Sequence, residues 1–185
     1  MHRYEYYNMT DLTLWGYLSN GDKMALEVLY RRYFSSLFNY GKSFCSNEEL
    51  VKDCIQDLFV KIYNSNSSSP RYVKAYLFRI LRNCIYDKKY SAMLEFSIGE
   101  IDFDLLVEDV ELENLFGKGD EDLLMSKRLR KAFSLLPSNQ KNALYLRFIK
   151  DFSWAEIAEA LNITSHSAMN LIARALSKLS SLLEK

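Results

Sequence analysis

Cationic and aromatic side chains alternate along residues 71–89, and this combination of residue types can bind nucleic acid. Cationic groups attract phosphates, and aromatic rings stack on unpaired bases, each ring contributing about 1 to 3 kcal/mol. The pattern is typical of a surface for single-stranded nucleic acid, because a duplex hides the faces of its bases. In the alternative interpretation, Phe78 and Tyr86 pack against a neighbouring helix and the arginines are solvated. The segment offers Arg71, Lys74, Phe78, Arg79, Arg82, Asn83, Tyr86, Lys88 and Lys89.

A second group of polar side chains falls on one side of a helix predicted for residues 48–63. The opposite side is apolar at helical spacing, which predicts a buried stripe of Val51, Ile55, Leu58, Phe59 and Ile62. The polar side contains Glu49, Asp53, Gln56 and Asp57. It is interpreted either as a docking surface for another protein or as the solvated face that a soluble helix normally shows.

The C-terminal third has the signals of a helix-turn-helix. Ser153 and Glu156 form a capping box that begins a short helix, and Asn162 suits the left-handed conformation that ends one. A longer helix then begins at Thr164 or Ser165. This arrangement lays its second helix in the major groove of DNA in many proteins, although helical hairpins without that function are common.

The elements that must position these groups are predicted to be helices. Two Pro and six Gly in 185 residues leave few helix breakers, and no segment alternates apolar and polar residues as a strand does. Residues 71–89 predict a buried stripe of Val73, Tyr76, Leu77, Ile80, Leu81, Cys84 and Ile85. The last helix predicts a buried stripe of Ala168, Ile172, Ala175, Leu179 and Leu182. The expected fold class is all-α.

The net charge of zero conceals three blocks of different sign. Residues 1–94 carry 13 Lys and Arg against 9 Asp and Glu, residues 95–122 carry 1 against 11, and residues 123–185 carry 10 against 4. Because a block of one sign repels itself, we predict helical domains at 1–94 and 123–185, joined by an acidic linker at 95–122. The linker is interpreted either as a solubilising loop or as a functional tether.

Composition and motifs argue against several other classes of protein. No apolar run is long enough to span a membrane and the N-terminus lacks a secretion signal, so we expect a cytoplasmic protein without membrane insertion. Cys45, Cys54 and Cys84 fit neither a disulfide framework nor a zinc site and are interpreted as core thiols. No motif of catalysis, cofactor binding or metal binding is present, so we expect no enzyme and no cofactor.

Both halves together resemble a known family, the extracytoplasmic-function (ECF) sigma factors of bacterial RNA polymerase, within the sigma-70 family. Residues 14–33 look like the start of region 2, residues 53–60 are similar to its polymerase-docking segment, and residues 76–83 resemble the helix that reads and melts the −10 element. Four segments of the C-terminal half resemble region 4, which reads the −35 element: Leu136-Pro137, Leu146-Arg147-Phe148, Glu156-Ile157-Ala158 and Arg174-Ala175-Leu176.

The resemblance implies partners and roles for named residues. Asp53, Gln56 and Asp57 would bind core RNA polymerase at its β′ clamp helices, with the β subunit as a further contact. Asn83 would contact a base, since its amide both donates and accepts hydrogen bonds. Phe78, Arg79 and Arg82 would hold the opened promoter DNA strand, and Lys74 and Lys88 would attract phosphates. An anti-sigma factor is a further implied partner, while catalysis and its Mg²⁺ belong to the polymerase.

One part of the recognition helix departs from the family pattern. Met169 and Leu171 stand near positions where the family usually carries basic side chains, which predicts weak or unusual reading of the −35 element. Met169 is alternatively interpreted as a contact to a thymine methyl group, or this surface as one for a protein. The remaining candidates for DNA contact are Ser165, His166, Ser167, Asn170 and Arg174.

The sequence is compatible with three functions. The first is a promoter-specificity subunit that acts with core RNA polymerase. The second is a stand-alone helix-turn-helix regulator, which would bind duplex DNA tightly without polymerase. The third is a helical adaptor whose DNA surfaces are degenerate, as Met169 and Leu171 suggest.

Overall fold

A computed structural model describes residues 3–64, 69–96 and 120–184 of the chain. Every regular element within these ranges is helical, which confirms the all-α prediction. The chain divides into two compact units, residues 1–102 and 103–185. No helix in the described ranges is long and apolar enough to cross a membrane.

In its described residues, 3–64 and 69–96, the first unit contains five helices. They are α1 (Arg3–Tyr7), α2 (Asp11–Ser19), α3 (Lys23–Lys42), α4 (Glu48–Asn64) and α5 (Val73–Phe96). The Gly21-Asp22 pair, which has the residue types of a turn and a helix cap, precedes α3: Gly21 has a φ of 81°, and the Asp22 carboxylate accepts hydrogen bonds from the backbone N–H groups of Met24 and Ala25. These bonds satisfy donors that have no partner within the first turn of a helix.

The core of this unit lies where α3, α4 and α5 pack together. The predicted stripe of α4 is buried throughout, from Val51 to Ile62. The helices approach one another closely at Gly41, where a Cβ atom would lie 2.4 Å from Val51 Cγ1 and 3.3 Å from Ile85 Cδ1. Because no side chain larger than hydrogen fits there, the glycine permits the close approach of the three helices.

The second unit contains a bundle that ends in the predicted helix-turn-helix. Its helices are α6 (Asp120–Ser134), α7 (Ser138–Leu144, extended by a π-helical turn at Tyr145–Ile149), α8 (Trp154–Leu161) and α9 (Ser165–Leu183). The capping box of α8 is confirmed, and Asn162 is left-handed with a φ of 56°. Thr164 caps α9 by accepting a hydrogen bond from the Ser167 backbone N–H.

The ends of the predicted linker belong to helices. Residues 95–96 complete α5 and residues 120–122 begin α6, while residues 97–119 lie outside the described residues. The boundaries at 94 and 123 therefore do not coincide with helix ends.

Candidate nucleic-acid interface

The polar side of α4 is exposed as the sequence predicted. Asp53, Gln56 and Asp57 all reach solvent, because the apolar stripe of the same helix faces α3 and α5. These three side chains form a polar surface, which we call the α4 face. It presents two carboxylates and one amide to any partner.

The predicted position of Phe78 on the surface of α5 was wrong. Phe78 is 0% exposed, and its ring centroid lies 4.7 Å from that of Tyr40 on α3. Tyr40 also contacts Phe44, which in turn meets Tyr86 edge-on. Burial raises the pKa of Tyr86. The alternative interpretation is confirmed for Phe78, which packs against α3 and so has no ring face available to a base. Tyr86 packs instead against Phe44, in the segment that follows α3.

A different ring lies beside the cations of α5. Tyr76, which the sequence placed in the buried stripe, is half-buried, and the Arg79 guanidinium carbon lies 5.2 Å from its ring centroid. The Tyr76 ring also packs nearly perpendicular to the ring of Trp15, a buried residue of α2, with the ring centroids 5.5 Å apart. Trp15 thereby holds Tyr76 in place. Helical spacing alone did not identify Tyr76 as a surface residue, because it continues the apolar spacing of the core.

The remaining predicted residues of this surface lie on α5 with different environments. Asn83 is exposed, whereas Lys74, Arg79, Arg82 and Lys88 are half-buried. Arg82 Nη2 lies 3.4 Å from Asn83 Oδ1, near the limit for a hydrogen bond. We call Tyr76, Arg79, Arg82 and Asn83 the α5 face.

An ion pair connects α4 with α5. Lys88 Nζ lies 2.7 Å from Asp57 Oδ2, and the hydrogen bond to this carboxylate raises the pKa of Lys88. Both residues line a groove of about 380 Å³ between the two helices, together with Lys61, Asn83, Cys84 and Asp87. Lys88, predicted to attract phosphates, is thus held by a residue predicted to bind polymerase.

The predicted residues of the second unit share the exposed side of α9. Ser165, His166, Ser167, Asn170 and Arg174 are all exposed. Ser167 is engaged by the Thr164 cap, and Arg174 Nε donates a hydrogen bond to the Asn170 carbonyl oxygen at 3.3 Å. Met169 is also exposed, whereas Leu171 is half-buried. Leu171 therefore presents less surface to a ligand than Met169 does, although both stand near positions where the family usually carries basic side chains.

Sequence reasoning missed a cation–aromatic pair at the start of α8. The Arg147 guanidinium carbon lies 4.8 Å from the Trp154 ring centroid, and Arg147 Nη1 donates a hydrogen bond to the Phe152 carbonyl oxygen at 2.8 Å. Trp154 is partly exposed. The pair braces the turn before α8, and no helical spacing could have revealed it because the two residues belong to different helical segments.

The cysteines occupy two kinds of environment. Cys45 and Cys54 are buried, as core thiols are, whereas Cys84 is half-buried and lines the groove. Within residues 3–64, 69–96 and 120–184, no cluster of three or more His, Cys, Asp or Glu side chains could hold a metal ion.

Comparison with known families gives one match in each unit. The family model described as sigma-70 region 2 matches residues 29–92, which include α4 and most of α5. The model described as sigma-70, region 4 matches residues 126–179, which include the helix-turn-helix. Region 2 precedes region 4 along the chain, in the order that the sequence motifs predicted.

Individual relatives extend over nearly the whole chain. The ECF RNA polymerase sigma factor SigM of Bacillus subtilis is 24% identical over 160 residues, covering 86% of this chain and 95% of SigM. The RNA polymerase sigma factor NccH of Alcaligenes xylosoxydans xylosoxydans is 26% identical over 172 residues, covering 90% of each chain.

Two solved structures share the fold. CnrH, in complex with the cytosolic domain of CnrY, has a TM-score of 0.62 and 24% identity, with 94% of this chain and 97% of that chain covered. The sigma factor RpoE from Bartonella quintana, in complex with the anti-sigma factor NepR, has a TM-score of 0.56 and 20% identity, with 85% and 96% covered.

Proposed function

The chain belongs to the ECF group of the sigma-70 family, and we propose that it binds core RNA polymerase through the α4 face and reads promoter DNA through α5 and α9. As an ECF sigma factor it directs promoter-specific initiation of transcription. The observation that carries this assignment is the presence of both sigma regions, in order, in one chain.

The α4 face is the proposed docking site for the β′ clamp helices of the polymerase. Asp53, Gln56 and Asp57 are exposed side by side over a fully buried apolar stripe, so a partner meets a rigid surface that loses little conformational freedom on binding. Two carboxylates favour a partner surface with positive charge. The β subunit would contact other parts of the chain.

The α5 face is the proposed site for the −10 element. Asn83 is exposed and can donate to and accept from one base edge, while Arg79 and Arg82 supply positive charge for the phosphates. Tyr76 takes the place that the sequence assigned to Phe78, because it is half-buried, braced by Trp15, and lies beside Arg79. Lys74 adds positive charge at the start of the same helix.

The exposed side of α9 is the proposed site for the −35 element. Asn170 and Arg174 lie one turn apart there and can read base edges or contact phosphates, while Ser165, His166 and Ser167 stand at the helix N-terminus, where anions bind favourably. Exposed Met169 supplies an apolar contact of the kind that a thymine methyl group accepts.

The proposed setting of this activity is the cytoplasm, with promoter DNA, core RNA polymerase and an anti-sigma factor as partners. The chain would contribute binding, and the polymerase would perform the chemistry. An anti-sigma factor that covers the α4 or α5 face would prevent initiation. A stand-alone regulator is less favoured, because it leaves the region 2 match in the first unit without a role.

The function is tested by transcription with purified components. Core RNA polymerase from a related bacterium, the full chain and genomic DNA of the source bacterium are combined, and the 5′ ends of the transcripts are mapped. We expect discrete start sites that core polymerase alone does not produce, sharing sequence elements upstream. Absence of a stable complex with core would contradict the proposal, and tight duplex binding without core would favour the stand-alone regulator.

A further inference from the structure

Two thiols meet between α4 and α5, at the groove that separates the α4 and α5 faces. Cys54 on α4 is fully buried, and Cys84 on α5 lines the groove and is partly accessible to solvent. The two thiols are close enough that each shifts the pKa of the other. Neither residue belongs to the surfaces proposed for polymerase or DNA, so the function described above does not account for this pair.

The ion pair between Asp57 and Lys88 lies beside the thiols. Asp57 follows Cys54 by three residues and Lys88 follows Cys84 by four, so each charged residue shares a helix side with one thiol. Side chains on a helix lean towards its N-terminus, which brings both charged groups back towards the sulfur atoms. Asp57, Cys84 and Lys88 all line the groove.

The surroundings give the two thiols different chemistry. The hydrogen bond from Cys54 lowers the pKa of Cys84, and the Lys88 ammonium adds to this effect, while burial and the carboxylates of Asp57 and Asp87 oppose it. The hydrogen bond to Cys84, together with burial, raises the pKa of Cys54. Cys84 is the thiol that a soluble oxidant reaches, because it lines the groove while Cys54 is buried. Its lowered pKa favours the thiolate, which is the reactive form of cysteine.

We propose that Cys84 is a peroxide-sensitive modification site and that Cys54 converts the modified Cys84 into a disulfide that joins α4 to α5. The arrangement is that of an accessible reactive cysteine with a resolving cysteine beside it. The third cysteine, Cys45, is buried and has a hydrogen bond to the Asn47 carbonyl oxygen. It serves as an internal comparison.

The reaction balances with hydrogen peroxide as the oxidant. The Cys84 thiolate attacks one peroxide oxygen, an S–O bond forms, the O–O bond breaks, and hydroxide leaves to take up a proton as water. The Cys54 sulfur then attacks the Cys84 sulfur, so that an S–S bond forms and the S–O bond breaks. The oxygen leaves as a second water with the Cys54 proton. Two thiols are oxidised and one peroxide is reduced to two waters.

The test treats the purified full chain with hydrogen peroxide and follows its mass under non-denaturing conditions. We expect each chain to lose two hydrogen atoms, peptide mapping to place the disulfide at Cys54 and Cys84, and a thiol reductant to reverse it. Cys45→Ser should form the same disulfide at the same rate. Cys54→Ser should stop at a sulfenic acid on Cys84, detected with dimedone.

Two further results decide the proposal without involving polymerase, so its failure is distinguishable from failure of the proposed function. Lys88→Met should slow oxidation of Cys84 several-fold while leaving the helix content unchanged. Oxidation of Cys45 at the same rate as Cys84, or disulfide formation in urea but not in the folded chain, would overturn it.

Discussion

Lys88 Nζ and Asp57 Oδ2 lie 2.7 Å apart, and this ion pair connects the helix proposed to dock on polymerase with the helix proposed to read DNA. The Asp57 side chain is 61% exposed and that of Lys88 is 37% exposed. Solvent therefore screens the pair, which contributes at most about 1 kcal/mol to stability. Because the pair is weak, either partner can exchange it for a contact with polymerase or DNA at low cost.

Asp57→Asn should weaken binding to core RNA polymerase about tenfold, a loss of roughly 1.4 kcal/mol. It should change the free energy of unfolding by less than about 1 kcal/mol, since the ion pair is exposed. The dissociation constant is measured with labelled chain and purified core. Glu49→Gln is the matched control, because it breaks another 2.7 Å ion pair, with Lys52, on the same helix. Equal effects of the two variants would contradict a specific role for Asp57.

Asn83→Ala should lower initiation at a mapped promoter about tenfold or more, because a lost base contact costs about 1 to 3 kcal/mol. Affinity for core polymerase should not change. Transcript yield is compared on the native −10 element and on single-base variants of it, where the variant chain should discriminate less at one position. Asn39→Ala changes an exposed asparagine on α3 and is the control. Unchanged transcription with both Asn83→Ala and Arg174→Ala would favour the helical adaptor.

Gly41→Ala should destabilise the first unit by about 1 to 3 kcal/mol, because the added methyl group overlaps Val51 and forces α3, α4 and α5 apart. Gly16→Ala is the control, since no atom outside its own helix lies within 4 Å of a Cβ built there, and it should stabilise α2 by about 0.5 to 1 kcal/mol. Urea unfolding is followed by fluorescence of Trp15 in a Trp154→Phe background. Destabilisation by both substitutions would contradict the steric explanation.

The hydrogen bond from Tyr6 to Asp22, 2.6 Å long, should make stability depend on pH at both extremes. It raises the pKa of Tyr6 to about 12, so its contribution is complete below the ordinary value of about 10 and is lost as pH rises through 12. The same bond lowers the pKa of Asp22, whose contribution is present above about 3.9 and is lost as pH falls through the lowered value.

A pH titration of tyrosinate absorbance measures the pKa of Tyr6. The spectrum of the wild type minus that of Tyr6→Phe should show one tyrosine that ionises near pH 12. A Tyr6 difference with its midpoint near the ordinary tyrosine pKa of about 10 would contradict the hydrogen bond.

Ser153→Ala should destabilise the second unit by about 0.5 to 2 kcal/mol, because it removes the side chain that accepts from the Glu156 N–H. Urea unfolding is followed by Trp154 fluorescence in a Trp15→Phe background. Ser177→Ala, an exposed position in α9, should have a smaller effect or none. Equal destabilisation by the two substitutions would show that loss of the cap is not the cause.

The amino-acid sequence by itself determined the all-α class and the local ends of several helices. Asp22, Ser153, Asn162 and Thr164 act through backbone groups within a few residues of themselves, and such short-range bonds depend little on the rest of the molecule. The buried stripe of α4 was also predicted, because its apolar and polar residues lie on clearly separate sides. The same reasoning placed Asp53, Gln56 and Asp57 on the surface.

Only the tertiary structure decided which side of α5 is buried and which residues of different helices meet. Near Tyr76 and Phe78, apolar residues occupy most sides of α5 itself. Helical spacing therefore could not show which of these two residues is buried. Packing against Tyr40 buries Phe78, and Trp15 holds Tyr76 at the surface. The Asp57–Lys88 ion pair likewise joins positions 31 residues apart. Contacts of this kind depend on how the helices pack, which the spacing of residues along one helix does not encode.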